Sequence, residues 1–463
     1  MNKNAKESNL TKKTKIGYSF GYLGIVLANW TFATYIFFYY ASVVGLDPIW
    51  IGVALGILGI WDMFNDPIMG HMSDKTKTKW GRRRPYLIFG TVPLVISFIF
   101  LWWNPFSDWF MIFIYFLITM LIFEWMFTMV GLSHSALYPE MTSDIDERLE
   151  IAGYLEFFDL IALILGYVLS LIIVGIFLGI GFTPAMAWLM MSVILGIFIA
   201  ISVFTAAAAT KEQEIFYKAE ALPFIKALKV TWKNKAFRVV VLAWLCIWIA
   251  YIIISATAIF FTIYILKMSE FETAISLLSI FLTAIPCLVL WYKLSKKYGT
   301  TKATMAAMFL FGIALLLLFF VVNLIMFIIA IAILGIGIAG VILLPQTLYA
   351  DVIDEDEIIT GVRREGMFSG IRMFIVKGSV SLSYVTMAVV LSLSGFQAGA
   401  ATQPESALMG IRILISIIPA TFLFVGIIIY TQYPLKGERL RKVKEEVLRL
   451  HEEKKKAFEQ QKV

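Results

Sequence analysis

Residues 61–85 read WDMFNDPIMGHMSDKTKTKWGRRRP. The stretch leaves an apolar run, GVALGILGIW (52–61), and ends in a cluster of cations: Lys75, Lys77, Lys79, Arg82, Arg83 and Arg84. Between the two lie Asp62, Asn65, Asp66 and Pro67. About 20 apolar residues cross a bilayer as a helix, and Lys and Arg gather in the loops on its cytoplasmic side. The stretch therefore reads as a membrane helix carrying two acids and running out into a cytoplasmic loop. The composition agrees. Of 463 residues 60% are apolar and 15% charged, against about 45–50% and about 25% in a soluble domain. That balance excludes a soluble enzyme, a disordered chain and a nucleic-acid module. The apolar runs are continuous rather than alternating, which excludes an outer-membrane barrel.

Outward from this stretch the pattern repeats. Apolar runs fall near 16–43, 48–72, 85–103, 108–137, 150–178, 183–209, 237–267, 271–293, 301–321, 323–350, 363–394 and 407–432. These are numbered spans 1 to 12; only Asn323 divides the ninth from the tenth. Span 1 is too long for a cleavable signal peptide, and no small-residue cleavage site follows it. Basic residues crowd the N-terminal tail (Lys3, Lys6, Lys12, Lys13, Lys15), the 75–84 loop and the loop after span 8 (Lys293, Lys296, Lys297, Lys302). The alternate loops VVGLDP, WNPFSD, LGIGFTP and SGFQAGAATQPESA hold none. Both termini are thus expected on the cytoplasmic side of a cell membrane. Topology also accounts for the net charge of +7 without a nucleic-acid partner.

The expected organisation is a six-helix half (1–209), a polar cytoplasmic loop (210–236), a second six-helix half (237–432) and a charged, helix-prone tail (433–463). Basic loops at equivalent places in the two halves suggest an internal repeat, as in transporters whose substrate site lies between repeats near mid-membrane. Cys246 and Cys287 both lie in apolar runs, so neither a disulfide framework nor a metal cluster is expected. With three histidines, no HExxH and no P-loop, the chain reads as neither an intramembrane enzyme nor an ATP-driven pump.

Charges inside spans are costly and point to function. Asp62 and Asp66 are four apart, on one helix face, with Asn65 beside them. Two carboxylates in low dielectric need a cation or a shared proton. Pro67 would free the carbonyl of Met63 and kink the helix. Carboxylate, amide and carbonyl oxygens are hard ligands suited to a small cation such as Na⁺, and a proton is the other option; the alternative is that the acids pair with bases to lock helices. Glu124 lies one turn before Thr128 in span 4 and can face the same region as a third carboxylate. Glu156 and Asp159 share a face of span 5. Arg372 and Lys377, five apart in span 11, point about 140° apart, and a cation left facing hydrocarbon there would cost at least ~2.5–3.5 kcal/mol. Lys377 is expected toward the aspartates, and Arg372 toward Glu156 or Asp159, either as a buried ion pair or as a cargo contact. His134 packs locally or meets substrate. Asp74, Arg82, Arg83 and Arg363 are candidate elements of a cytoplasmic gate, with acids of ADVIDEDE (350–357) and SDIDERLE (143–150) as partners.

The block WDMFNDPIMGHMSDKTKTKWGRRRPYLIFG (61–90) resembles the signature of the glycoside–pentoside–hexuronide:cation symporters, a melibiose-carrier-like family of the major facilitator superfamily. ADVIDEDEIITGVRREGMFSGIRMFIVKGSVS (350–381) is similar to that family's passage from span 10 into span 11. GYSFGYLG…FFYYASVVGL, MGIRILISIIP and YPLKGER fit more loosely. The resemblance implies an all-α membrane protein of twelve helices in two six-helix halves, a monomeric carrier without organic cofactor, importing a small molecule together with Na⁺ or H⁺. It implies a cation site at Asp62, Asn65, Asp66 and Thr128, with Lys377 beside it. The family's sugar-binding aspartates of spans 1 and 4 are Val26 and Gly131 here, its span-4 tryptophan is Ser135 and its span-5 arginine is Glu156. The coupling machinery carries over and the cargo pocket does not, which keeps open a second cargo class, lysophospholipids.

Overall fold

Asp47, Asp108, Asn234 and Asn323 sit in loops and open membrane-length helices by one device. Each side-chain oxygen accepts a backbone N–H of the first turn, as Asp47 does from Ile49 (2.9 Å) and Asn323 from Met326 (2.9 Å), satisfying donors that have no partner within the helix. The computed structural model describes residues 10–76, 78–142, 144–210, 231–361 and 364–460. Among these the chain is helical, with one isolated bridge between Thr78 and Gly81. Twelve helices are long and apolar enough to cross a membrane: Lys12–Val44, Pro48–Gly70, Arg84–Leu101, Trp109–Tyr138, Asp146–Gly179 and Pro184–Ala209, then Lys235–Ile265, Glu270–Tyr298, Thr300–Leu318, Leu324–Thr360, Met367–Leu393 and Glu405–Thr431. They are the expected spans 1 to 12.

The break between spans 9 and 10 is a capped helix start. Arg412 of span 12 donates to the carbonyls of Phe319 (2.7 Å) and Val321 (2.9 Å), which lie between the two helices. The far end of span 10 differs from expectation. The apolar run stops near Ala350, yet the helix continues to Thr360 and ends at Gly361, whose φ of 72° suits glycine. The acids of 350–357, expected on a loop, are therefore helical. Asp351, Glu355, Asp356 and Glu357 are all buried.

The chain forms two compact units, 1–218 with 268–275 and 395–404, and 219–267 with 276–394 and 405–463. Their boundary falls within the polar segment expected at 210–236, of which 211–230 lie outside the described residues. In the first unit spans 1 and 6 approach closely. A Cβ at Gly21 would stand 2.2 Å from that of Ala206, so only glycine permits this crossing, the small-residue packing typical of membrane helices. Tyr35, Tyr39 and Trp102 are buried around Trp188, which stacks on Trp102 at 5.3 Å. Residues 395–404 join this unit through the Gly399 N–H, which donates to the Ala41 carbonyl at 2.9 Å. In the second unit a further helix, Gly437–Gln460, follows span 12. It is tied to span 10, with Arg439 on Glu355 (2.7 Å) and Lys444 on Asp351 (3.4 Å).

Candidate functional site

Span 2 belongs to a helix that runs unbroken from Pro48 through Pro67 to Lys75. Its spacing carries Asp62, Asn65 and Asp66 round one side. Asn65 is 0% exposed. Its Nδ2 donates to Thr128 Oγ1 (2.9 Å) and to the backbone carbonyl of Glu124 (3.3 Å), both in span 4. Its Oδ1 is buried and accepts no hydrogen bond. A buried amide oxygen left this way is unusual, and a cation is the partner its chemistry fits. Asp62 and Asp66 are half-buried, while Thr128 and Glu124 are buried. Rings of Trp61 and Trp125 stand 5.5 Å apart beside the site. Among the described residues no three His, Cys, Asp or Glu side chains come close enough to hold a metal ion. The site is thus not a three-carboxylate cluster, and Glu124 meets Asn65 through its backbone. The oxygen donors on offer are carboxylate, amide and hydroxyl, a hard set.

The remaining candidates divide by unit. In the first, His134 stacks on Tyr18 at 4.1 Å and 7°. Its Nε2 meets the Tyr18 carbonyl (2.9 Å), and the Tyr18 hydroxyl donates to the His134 carbonyl (2.8 Å). This buried, reciprocal lock joins spans 1 and 4 and accounts for His134 by packing. Asp159 accepts the Trp30 indole N–H at 3.4 Å, and Glu156 is exposed.

In the second unit Lys377 is half-buried in span 11. Arg372 donates from Nη1 to Gln346 Oε1 (3.2 Å), and its guanidinium lies 4.6 Å from the Trp244 ring and 4.9 Å from the Tyr349 ring. Among the described residues it forms no ion pair. Spans 7 and 10 supply two aromatic faces, and such faces hold a guanidinium without neutralising it.

Of the gate candidates, Arg363 lies outside the described residues, as does the side chain of Asp74. Arg83 is buried and donates to Ser73 Oγ; Arg82 is half-buried. The neighbouring Arg84 donates to the Ala207 carbonyl at 3.0 Å. Several of the acids expected to meet the basic loop have partners elsewhere. Asp356 takes Arg364 (2.9 Å), Glu355 and Asp351 take the tail helix, and Glu147 and Glu150 hold Lys15 at 3.2 and 2.7 Å. The Lys15 clamp and the Arg372 cage escaped the reading of the sequence. A usable signal for the cage was present, since Gln346 and Tyr349 are three apart on one face of an otherwise apolar helix.

This arrangement sits in a recognisable setting. The family described as MFS/sugar transport protein matches residues 17–437. The chain belongs to that family. As a member it is a multi-pass membrane transporter, not an enzyme. A glucuronide carrier protein homolog of Escherichia coli K12 is 26% identical over 448 residues, covering 95% of this chain and 96% of that one. A sodium-dependent lysophosphatidylcholine symporter of Gallus gallus is 25% identical over 459 residues, covering 90% and 85%. Among solved structures, a bacterial homolog of the human lysosomal transporter Spinster matches with a TM-score of 0.65 at 12% identity, covering 92% and 98%. The last likeness speaks for the fold alone.

Proposed function

We propose that the chain is a cation-coupled symporter that imports a glycoside, pentoside or hexuronide across the cell membrane by alternating access, as a monomer with both termini cytoplasmic. The observation that carries this reading is the buried Asn65 oxygen beside Asp62 and Asp66, held in place by Thr128. A cation there supplies the buried Asn65 oxygen with a partner and places positive charge beside the two carboxylates. Coupling follows if the loaded pair favours the state that binds cargo, because linkage between two ligands is reciprocal. Lys377, and Glu124 next to Thr128, are the groups we assign to sensing whether the cation is present.

The coupling ion is Na⁺ or H⁺. The test is uptake into proteoliposomes under an imposed Na⁺ or proton gradient, over a panel of glycosides, hexuronates and lysolipids, for the wild type and Asp62→Asn. Concentrative uptake that follows one gradient and vanishes in Asp62→Asn supports the reading; uptake indifferent to both gradients ends it. A second reading keeps the coupling and changes the cargo to a lysophospholipid. It is favoured by Val26, Gly131 and Ser135 standing where related sugar carriers place polar and aromatic cargo ligands, and by the likeness to the Gallus gallus symporter.

A further inference from the structure

We infer that Arg372 is an oxyanion receptor, so that the cargo carries a carboxylate or a phosphate. The inference rests on the transporter reading above and narrows its substrate class. Arg372 lies in span 11 with Trp244 of span 7 and Tyr349 of span 10 against its guanidinium. The two rings meet edge to face at 5.8 Å, and the Tyr349 hydroxyl is within 3.2 Å of Ser369 Oγ, one turn before Arg372. The cage is therefore fixed from both sides. The only hydrogen-bond acceptor Arg372 reaches among the described residues is the neutral Gln346 oxygen, through Nη1, and its Nε is buried and donates to nothing.

A guanidinium that serves packing alone ends in carboxylates, backbone carbonyls or water. Arg412 shows the packing solution in the same unit, with Nη1 on two carbonyls. Arg412 also lies over a ring, Phe261 at 5.8 Å, but Arg372 has two rings within 5 Å and no backbone carbonyl among its acceptors. Aromatic contacts occupy its faces, and faces do not compete for the in-plane N–H fork. That fork is what binds carboxylate or phosphate through two parallel hydrogen bonds. Among the described residues Arg372 has no ion-pair partner, and a cation in a membrane span gains most from a ligand that brings a counter-charge. A hexuronate carboxylate and a lysophospholipid phosphate both supply it, and both fit the fork.

The test measures equilibrium binding to the purified full-length protein, without any gradient, so its outcome does not depend on coupling. Two matched pairs serve as probes: methyl β-glucuronide against methyl β-glucoside, and lysophosphatidylcholine against monoacylglycerol. In one pair the wild type should prefer the charged member by about tenfold or more, the worth of a charge-assisted hydrogen bond. Arg372→Gln should erase that preference, and Arg372→Lys should restore part of it, since an ammonium keeps the charge but lacks the fork. Preference within the first pair assigns the anion as a carboxylate, and within the second as a phosphate; either supports the inference. No preference in either pair, or a preference unchanged in Arg372→Gln, overturns it. If Arg372→Gln does not fold, Arg372→Lys decides alone, and an undiminished preference there refutes the fork. Anion-selective binding combined with gradient-indifferent uptake would remove the symport reading and leave this one standing.

Discussion

Two pairs of acids share one spacing, and the structure ties their neighbourhoods together in different ways. Asp62 and Asp66 in span 2, and Asp351 and Glu355 in span 10, are each four apart on a long apolar helix. The second pair is closed by cations of the tail helix, Lys444 and Arg439. The first pair shares its turn with Asn65, which is tied to a neutral hydroxyl and a backbone carbonyl and keeps a buried oxygen without a hydrogen bond. Spacing puts two carboxylates on one face in both cases. A fixed cation on the same chain turns the second pair into a fastener. Beside the first pair the buried Asn65 oxygen accepts no hydrogen bond, which suits an ion that comes and goes.

The largest expected effect separates the pairs most sharply. Asp62→Asn or Asp66→Asn should reduce gradient-driven uptake at least about a hundredfold, beyond the 10–100-fold typical of losing an outer-shell group, while the protein still inserts and keeps its thermal midpoint. Glu355→Gln should do the reverse, lowering the midpoint and sparing uptake. Equal damage to transport from both variants would erase the distinction. The next effect sharpens the first site. Asn65→Leu removes the buried oxygen and also leaves Thr128 without its donor. The cation concentration for half-maximal uptake should rise about 10–100-fold, with maximal uptake changed less. An unchanged half-maximal concentration would mean that Asn65 only fastens span 2 to span 4.

Third in size is the fastener itself. Arg439→Ala leaves Glu355 buried without its counter-charge. Because Arg439 is more than half exposed, solvent screening should hold the cost to about 1.5 kcal/mol, the low end for hydrogen bonds to charged groups. Thermal unfolding in detergent reads it. High salt should narrow the gap between wild type and variant, since exposed charges are screened.

The spans were legible because hydropathy needs no knowledge of contacts. The aspartate pair was legible because a helix converts spacing into a face. Partners were not, since they come from far along the chain: Lys15 meets Glu150 across 135 positions, and Asp351 meets a residue of the tail. The end of span 10 was misread for a related reason. Hydropathy stops where the acids begin, but a helix continues wherever its acids are neutralised, and the neutralising side chains lie on another helix. The aromatic cage of Arg372 was not legible because it depends on three helices whose register no single segment reveals.

The smallest expected effect concerns His134, an imidazole buried in the first unit. Its ring lies flat on Tyr18 and its Nε2 meets the Tyr18 carbonyl. Phenylalanine keeps the stack and loses the hydrogen bond, so His134→Phe should cost about 1 kcal/mol, the net worth of one neutral hydrogen bond. The Tyr18 hydroxyl still has the backbone carbonyl of residue 134, which the substitution does not touch. Uptake should keep its dependence on cation concentration and on external pH. This matters for the ion, because a histidine that relayed protons would make the variant lose proton-driven uptake while Na⁺-driven uptake survived. A selective loss of that kind would move His134 from the packing of spans 1 and 4 into the coupling site, and would add an imidazole to a cation site described above as oxygen only.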